Sequence, residues 1–257
     1  MKKQRFTRMA DILAGGILCI LALFILSPIA LIGCFSFSDG LQSYTELCIW
    51  NPDYIHAMIQ SMKIAFTAAC GTLIVSIPAA YVFAKVSFRG REKIFFIYII
   101  IMIMPFSVTM LPQYMVARRL GIYDSLLALI LPGIFNPFAT FLLTQIMKSF
   151  PNMYIEAASL ETNSTIYILY HIVVPSMKSG IVCAWSLSFV ELWNMVAEPS
   201  ILLETPDTFP LSMWIKTIEA VDINSFAAAM LYILLPICIF SFFSSEILEG
   251  LGEYRLK

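Results

Sequence analysis

Residues 151–175 read PNMYIEAASLETNSTIYILYHIVVP, and this stretch decides how the rest of the chain is organised. Pro151 suits the first turn of a helix, where its missing N–H would lack a partner anyway. Glu156 near that start is favoured by the helix dipole. Met153, Ala157 and Leu160 recur at spacings of four and three, which predicts one apolar stripe. Glu161-Thr162-Asn163-Ser164 then breaks the pattern. Asn163 can take the left-handed conformation that ends a helix, and Ser164 can cap the next one. A second helix from about residue 165 runs through Ile166, Leu169, Tyr170 and Val173 into the apolar run beyond. The stretch reads as helix, bend, helix, set between two apolar segments.

Those apolar segments define the class. Of 257 residues, 60% are hydrophobic and 13% charged, with a mean hydropathy of +0.84. Soluble domains carry roughly 45–50% apolar and about 25% charged residues. The expectation is an all-α, polytopic membrane protein. A spanning helix needs about 20 apolar residues, and six candidates occur, at 12–36, 60–84, 94–112, 124–147, 173–197 and 227–248. Pro105 interrupts the third, which ends at Pro112, so its outer half is expected to be irregular. Prolines 28, 78 and 236 lie inside apolar runs, as membrane helices tolerate.

Loop charge sets the expected orientation. Lys2, Lys3, Arg5, Arg8, Lys85, Arg89, Arg91, Lys93, Lys148, Lys178, Arg255 and Lys257 all fall on one side if the N-terminus is cytoplasmic. Both termini are then cytoplasmic, and Arg118 and Arg119 stand outside. The first apolar run, of about 25 residues, exceeds the 7–15 of a secretory signal and is kept as a span. Hydrophilic stretches at 39–58, 148–172 and 198–226 are too short for a separate core of about 50 residues. Residues 1–257 therefore read as one transmembrane domain, with 148–172 as a structured cytoplasmic loop.

Several functions are disfavoured. The Gly-x-x-x-x-Gly-Lys-Ser/Thr phosphate cradle is absent, so ATP chemistry is not expected on this chain. Paired aspartates, a Ser/His pair or a His-Glu-x-x-His within helices, as a membrane enzyme would need, are missing too. A secondary transporter usually shows two related halves, and no repeat is evident. The cysteines at 19, 34, 48, 70, 183 and 238 have no metal-ligand spacing and read as small core residues. No basic patch with interleaved aromatics suggests nucleic acid.

The stretch from Glu156 to Pro175 resembles the EAA loop of binding-protein-dependent ATP-binding-cassette importers. There a Glu-Ala-Ala triplet is followed by a bend glycine and an Ile-x-Leu-Pro ending, here Ile172-Val173-Val174-Pro175. Further stretches are similar to the carbohydrate branch, which includes the second membrane subunit of the maltose importer. They are Ala79-Ala80-Tyr81 through Phe88-Arg89-Gly90-Arg91, Met104-Pro105, Leu111-Pro112-Gln113-Tyr114, and Leu120-Gly121-Ile122-Tyr123-Asp124-Ser125. Phe189-Val190-Glu191-Leu192-Trp193-Asn194, Thr208-Phe209-Pro210-Leu211, Ala227-Ala228-Ala229 through Pro236, and Glu249-Gly250-Leu251 continue the likeness. Three departures stand out. Thr162 occupies the bend glycine's place; a β-branched residue disfavours positive φ, so the left-handed residue is expected at Asn163. Glu161 replaces the usual Asp. Residues 252–257 lack the family's C-terminal ending, so no tail contact is carried over.

The resemblance implies a type I importer permease fold and a non-catalytic half-pore in a bacterial or archaeal plasma membrane. It implies a second permease subunit, in a heterodimer or a homodimer, two copies of a cytoplasmic ATPase that bind ATP and Mg, and an extracytoplasmic solute-binding protein. This chain itself would bind no cofactor or metal. The solute would be a sugar or oligosaccharide, with an amino acid or phosphonate as alternatives. It also places the ATPase-docking contacts on Glu156, Ala157, Ala158, Leu160, Glu161, Thr162 and Asn163. Small alanines permit close approach and carboxylates set registry, in the helix-in-groove mode. A helix lying on lipid headgroups is the alternative, although such helices are usually basic.

A second set of candidates concerns the solute. Ser188, Glu191, Asn194 and Glu198 recur at spacings of three, three and four and would share one helix face, with Trp193 turned from it. An ionisable group at mid-helix costs roughly 2.5–3.5 kcal/mol to insert, so it should face water or the bundle interior. The expected pathway residues are Gln113, Tyr114, Ser188, Glu191, Trp193 and Asn194. Gln113 and Tyr114 are included because broken helices line cavities. Glu191 suits a pathway lining or a structural post, for instance to Lys63. Asn136, Thr140 and Thr144 form a second polar stripe, as interhelical glue or pathway. Arg118 and Arg119 suit either a docking receptor or plain solvation. His56 and His171 receive no catalytic role, and His171 borders the docking loop.

Overall fold

The computed structural model describes residues 2–217 and 223–252, and side-chain surroundings within 15–217 and 226–249. Tail residues 253–257, where the family ending is missing, lie outside the described residues. Among the described residues every regular element is helical. The long helices are α1 (Lys2–Ser36), α2 (Pro52–Lys85), α3 (Arg91–Ile103), α4 (Phe106–Leu120), α5 (Leu127–Ile134) and α6 (Pro137–Ser149). They continue as α7 (Asn152–Glu161), α8 (Thr165–Ser176), α9 (Lys178–Trp193), α10 (Ile223–Phe242) and α11 (Ser244–Gly252).

The post of the bundle is α2. Asn51 caps it by accepting from Tyr54 N at 3.0 Å, with Pro52 in the first turn. It runs 34 residues without a break, Pro78 included, or about 51 Å at 1.5 Å per residue. It packs on α5, α6 and α9, with Ala65, Ala68, Ala69 and Ala80 fully buried at the contacts. Small side chains let backbones approach closely where lipid supplies no hydrophobic drive between helices. Glycines do the same on the facing elements. A Cβ at Gly180 would lie 2.9 Å from Ile146 side-chain atoms.

Among the described residues three helical segments, Gly15–Ser36, Pro52–Lys85 and Leu127–Ser149, are individually long and apolar enough to cross a membrane. Two bent pairs would raise that number to five, and Phe226–Phe242 is a shorter apolar helix. Pro105 interrupts the third span as expected, and the other breaks differ from those expected. The third span bends by 95° between α3 and α4, at Pro105, whereas α4 runs through Pro112 to Leu120. Proline pushes the preceding residue to extended geometry, and Met104 has φ −61, ψ 127. The fifth span does not continue from the docking loop. It bends by 83° between α8 and α9, at Met177 with φ −116, ψ 25, after a widened turn at Leu169–Val173 and Pro175, which lacks a ladder donor. That span begins at Lys178 and its helix ends at Trp193 rather than 197. Another helix boundary, at Phe243, divides the segment expected at 227–248.

Candidate functional site: an outward helix and a polar cavity

Helix α7 is seated by one face and free on the other. Ala158 is 9% exposed and packs in a cluster with Tyr81, Met147, Ile168 and Val173, with Ile155 half-buried beside it. Glu156, Ala157, Glu161 and Asn163 are exposed, Leu160 is 89% exposed, and Thr162 is half-buried. The expected stripe Met153, Ala157, Leu160 therefore faces outward, and Ala158, expected at a partner contact, faces this chain's own spans. Tyr154 on α7 and Ile166, Tyr167 and Tyr170 on α8 are exposed as well. The three tyrosines and Ile166 were not among the expected contacts; their signal is bulky apolar residues inside an otherwise polar loop. His171 is exposed and stacks on Tyr167, centroids 4.1 Å apart.

The bend is built differently from the expectation. Asn163 is not left-handed: among the described residues Asp124, with φ 58, is the only non-glycine at positive φ. Thr162 is extended at φ −147, ψ 140, a conformation that suits its branched side chain. Its hydroxyl oxygen accepts from Ser164 N at 3.2 Å, and Ser164 Oγ accepts from Tyr167 N at 3.3 Å to start α8. At the other end of α7, Lys85 Nζ donates to Phe150 O at 2.5 Å and to Asn152 Oδ1 at 2.8 Å.

Between α4, the α5–α6 break and α9 lies a cavity of about 810 Å³. Gln113, Asn136, Glu191, Glu198 and Thr109 supply its polar groups, and Met102, Phe106, Leu129, Phe138 and Met195 much of its apolar wall. Glu191 Oε2 accepts from Asn136 Nδ2 at 2.8 Å, while Asn136 Oδ1 caps α6 by accepting from Phe138 N at 2.9 Å. Glu191's hydrogen-bonding partner is thus Asn136, not Lys63. Thr140 donates to Ser76 Oγ at 2.8 Å, binding α6 to α2, and Thr144 donates to its own helix at Thr140 O.

The other expected pathway residues stand apart from this cavity. Ser188 and Trp193 are each 1% exposed, and Trp193 Nε1 donates to Tyr232 O at 3.2 Å. Asn194 Oδ1 accepts from Tyr232 Oη at 2.9 Å. Tyr114 turns to Arg118, whose Nε donates to its hydroxyl at 3.0 Å. A single face through Ser188, Glu191, Asn194 and Glu198 requires a helix that continues, and α9 stops at Trp193. Glu198 reaches the cavity from the loop instead.

At the far end of α2 the segment 198–211 is held by polar ties. Gln60 Nε2 donates to Asp207 O at 3.0 Å, and Leu211 N donates to Ser61 Oγ at 2.7 Å. Asp124 accepts from Glu204 N at 2.8 Å, Thr205 N at 3.0 Å and the Thr205 hydroxyl. Those donors, the Thr205 hydroxyl first, hold its carboxyl down at about 2. Arg118 is not free: its guanidinium lies 3.6 Å from the Tyr123 ring centroid and 3.8 Å from Glu204.

Comparison with known proteins agrees with this architecture. Residues 73–250 match the model of a family described as binding-protein-dependent transport system inner membrane component. The chain is 26% identical over 198 residues to the lactose transport system permease protein LacG of Rhizobium radiobacter, covering 75% of this chain and 69% of LacG. It is 28% identical over 222 residues to the arabinooligosaccharides transport system permease protein AraQ of Bacillus subtilis, covering 85% and 79%. It is 28% identical over 184 residues to the sn-glycerol-3-phosphate transport system permease protein UgpE of Shigella flexneri, covering 70% and 66%. In backbone it is similar, with a TM-score of 0.81 at 20% identity, to a chain of a bacterial ABC transporter involved in import of the acidic polysaccharide alginate. That likeness covers 93% of this chain and 96% of the other, and it is one of fold.

Proposed function

Because this chain belongs to the family of binding-protein-dependent transport system inner membrane components, we propose that it is one half of the pore of an ATP-driven importer for sugars or oligosaccharides. The observation that carries the proposal is α7: a short helix seated by Ile155 and Ala158, presenting Glu156, Ala157, Leu160 and Glu161 outward. An exposed Leu160 beside carboxylates suits a protein groove rather than anionic headgroups. The partner is a cytoplasmic ATPase, present in two copies, that carries ATP and Mg.

In this reading α1, α2, the bent pair α3–α4, the run α5–α6, α9 and α10 give six crossings, with both termini on the cytoplasmic side beside α7. A second permease, different in sequence, supplies the other half of the pore. The mechanism is alternating access: ATP closes the ATPase pair, the docked helices move together, and the cavity opens outward to a loaded solute-binding protein. ATP shifts that equilibrium only by its differential affinity for the two states. Amide and carboxyl groups from Gln113, Asn136, Glu191 and Glu198, on an apolar wall, suit hydroxyl-rich solutes. The names of the lactose and arabinooligosaccharide relatives support a carbohydrate.

The test is to purify this chain from membranes with whatever co-purifies and to reconstitute the complex. The associated receptor is then screened against sugars, amino acids and phosphonates. ATP-dependent uptake of a neutral saccharide is the expected result. A chain that purifies alone, stable and without an ATPase, would sink the proposal.

A further inference from the structure

The ties at the two ends of α2 are made by different chemistry but belong to one helix. At one end Lys85, its last residue, donates to Phe150 O and Asn152 Oδ1, the carbonyl that closes α6 and the first side chain of α7. Toward the other end, as ninth and tenth residues of the helix, Gln60 and Ser61 hold Asp207 and Leu211 by hydrogen bonds of 3.0 and 2.7 Å. The stretch they hold follows Glu198 and Leu202, which line the cavity. Between the ties α2 is unbroken and packed on three neighbours. A continuous helix of that kind moves as one body, and packed interfaces switch between discrete arrangements rather than deform smoothly.

We propose that Lys85 is a positioning residue that hitches α7 to α2, so that a displacement of α7 travels along α2 to the 204–211 segment, which follows the cavity-lining Glu198 and Leu202 in the chain. The proposal rests on α7 as the ATPase-docking helix, and adds the route by which its movement leaves the docking surface. Apolar packing of Ala158 seats α7 but lets it slide; the two hydrogen bonds of Lys85 fix its first turn to the end of the post. An ammonium on a flexible stem offers three donors and can hold both acceptors at once. Neither acceptor is charged, so the hitch is short-ranged and geometric and does not depend on a counter-ion.

The experiment measures hydrogen exchange in the complete complex, purified through a tag on this chain, before and after trapping with ATP and vanadate. In the wild type, amides of 204–211 are expected to change exchange rate at least about threefold on trapping, as a coupled segment should. In Lys85→Met that change should fall below about 1.5-fold while α7 stays protected by the ATPase, and Lys85→Arg should restore at least half of it. A wild-type response in Lys85→Met, or no recovery in Lys85→Arg, would overturn the hitch. Should Lys85→Met fail to assemble, Asn152→Ala removes one acceptor and leaves the lysine. A reduced response at 204–211 then supports the proposal and an unchanged one refutes it. Wild-type α7 that gains no protection from the ATPase would instead remove the docking reading, and the hitch with it.

Discussion

Glu191 on α9 accepts a 2.8 Å hydrogen bond from the Asn136 amide at the α5–α6 break, and both side chains line the cavity. The bond joins two elements 55 residues apart in sequence. Asn136 can hold it because its other amide atom is already committed to capping α6.

Polar pairs inside membrane bundles couple by about 0.6 kcal/mol on average and about 1.7 kcal/mol at most. A double-mutant cycle of Glu191→Ala and Asn136→Ala, read by unfolding in detergent, should return a coupling in that range. Glu191→Gln keeps an acceptor oxygen and should unfold close to wild type. If the cavity carries solute, Glu191→Ala lowers uptake more than its effect on stability explains. Wild-type uptake together with zero coupling would remove Glu191 from both roles.

Ala158 and Leu160 are two residues apart and face opposite ways. Leu160→Asp should leave the unfolding free energy of this chain within about 0.5 kcal/mol of wild type, as surface changes do, and should cut ATPase co-purification about tenfold or more, about 1.4 kcal/mol. Ala158→Asp buries an unpaired carboxylate against Tyr81 and Val173 and should destabilise the chain by on the order of 3 kcal/mol. Equal effects of the two on unfolding would contradict the orientation of α7.

Asp124 gives the far end a pH dependence. Its carboxyl is lowered from 3.8 to about 2, first by the Thr205 hydroxyl and then by the backbone N–H groups of Thr205 and Glu204. A depressed folded-state value stabilises above the ordinary carboxylate range and is lost as pH falls toward about 2. The wild-type unfolding midpoint should therefore drop between about pH 4 and about pH 2. Asp124→Asn, which tolerates the left-handed backbone at φ 58, should start lower and show a smaller drop. Parallel curves for the two proteins would show that this clamp contributes nothing.

Gly133 sits where α5 presses on α2 and α9. A Cβ there would lie 2.7 Å from Leu192 Cδ2 and 3.1 Å from Ala68 Cβ. Gly133→Ala should cost about 1–3 kcal/mol, as overpacking does. Truncating Leu192 to Ala in the same chain opens space for the new methyl. The two substitutions together should cost less than the sum of their separate effects, measured by thermal unfolding, whereas additive costs would mean that the contact is not the cause.

Much of this was legible along the chain. Apolar runs of membrane length locate α1, α2 and α5–α6 because lipid contact leaves a composition signal that needs no partner. The helix, bend and helix of 152–176 was legible too, since Ser164 caps α8 as its residue type suggests. Less legible were the breaks. Pro105 and Pro112 carry the same missing donor, yet α3 and α4 part at the first and the helix tolerates the second. Neighbouring packing decides which proline kinks, and a single sequence does not contain that.

Sequence by itself determined that this chain spans membranes as helices and carries a polar helical segment between two of them. Both follow from local periodicity and the cost of unsatisfied backbone in lipid. Tertiary structure alone decided which residues face which way. Helical spacing tells which side chains share a face, but not whether that face meets a neighbour, a cavity or open space. So Met153 and Leu160 point out while Ala158 points in. Gln113, Asn136, Glu191 and Glu198 gather around one cavity from four separate stretches, because each helix end resets the phase that spacing alone would carry forward.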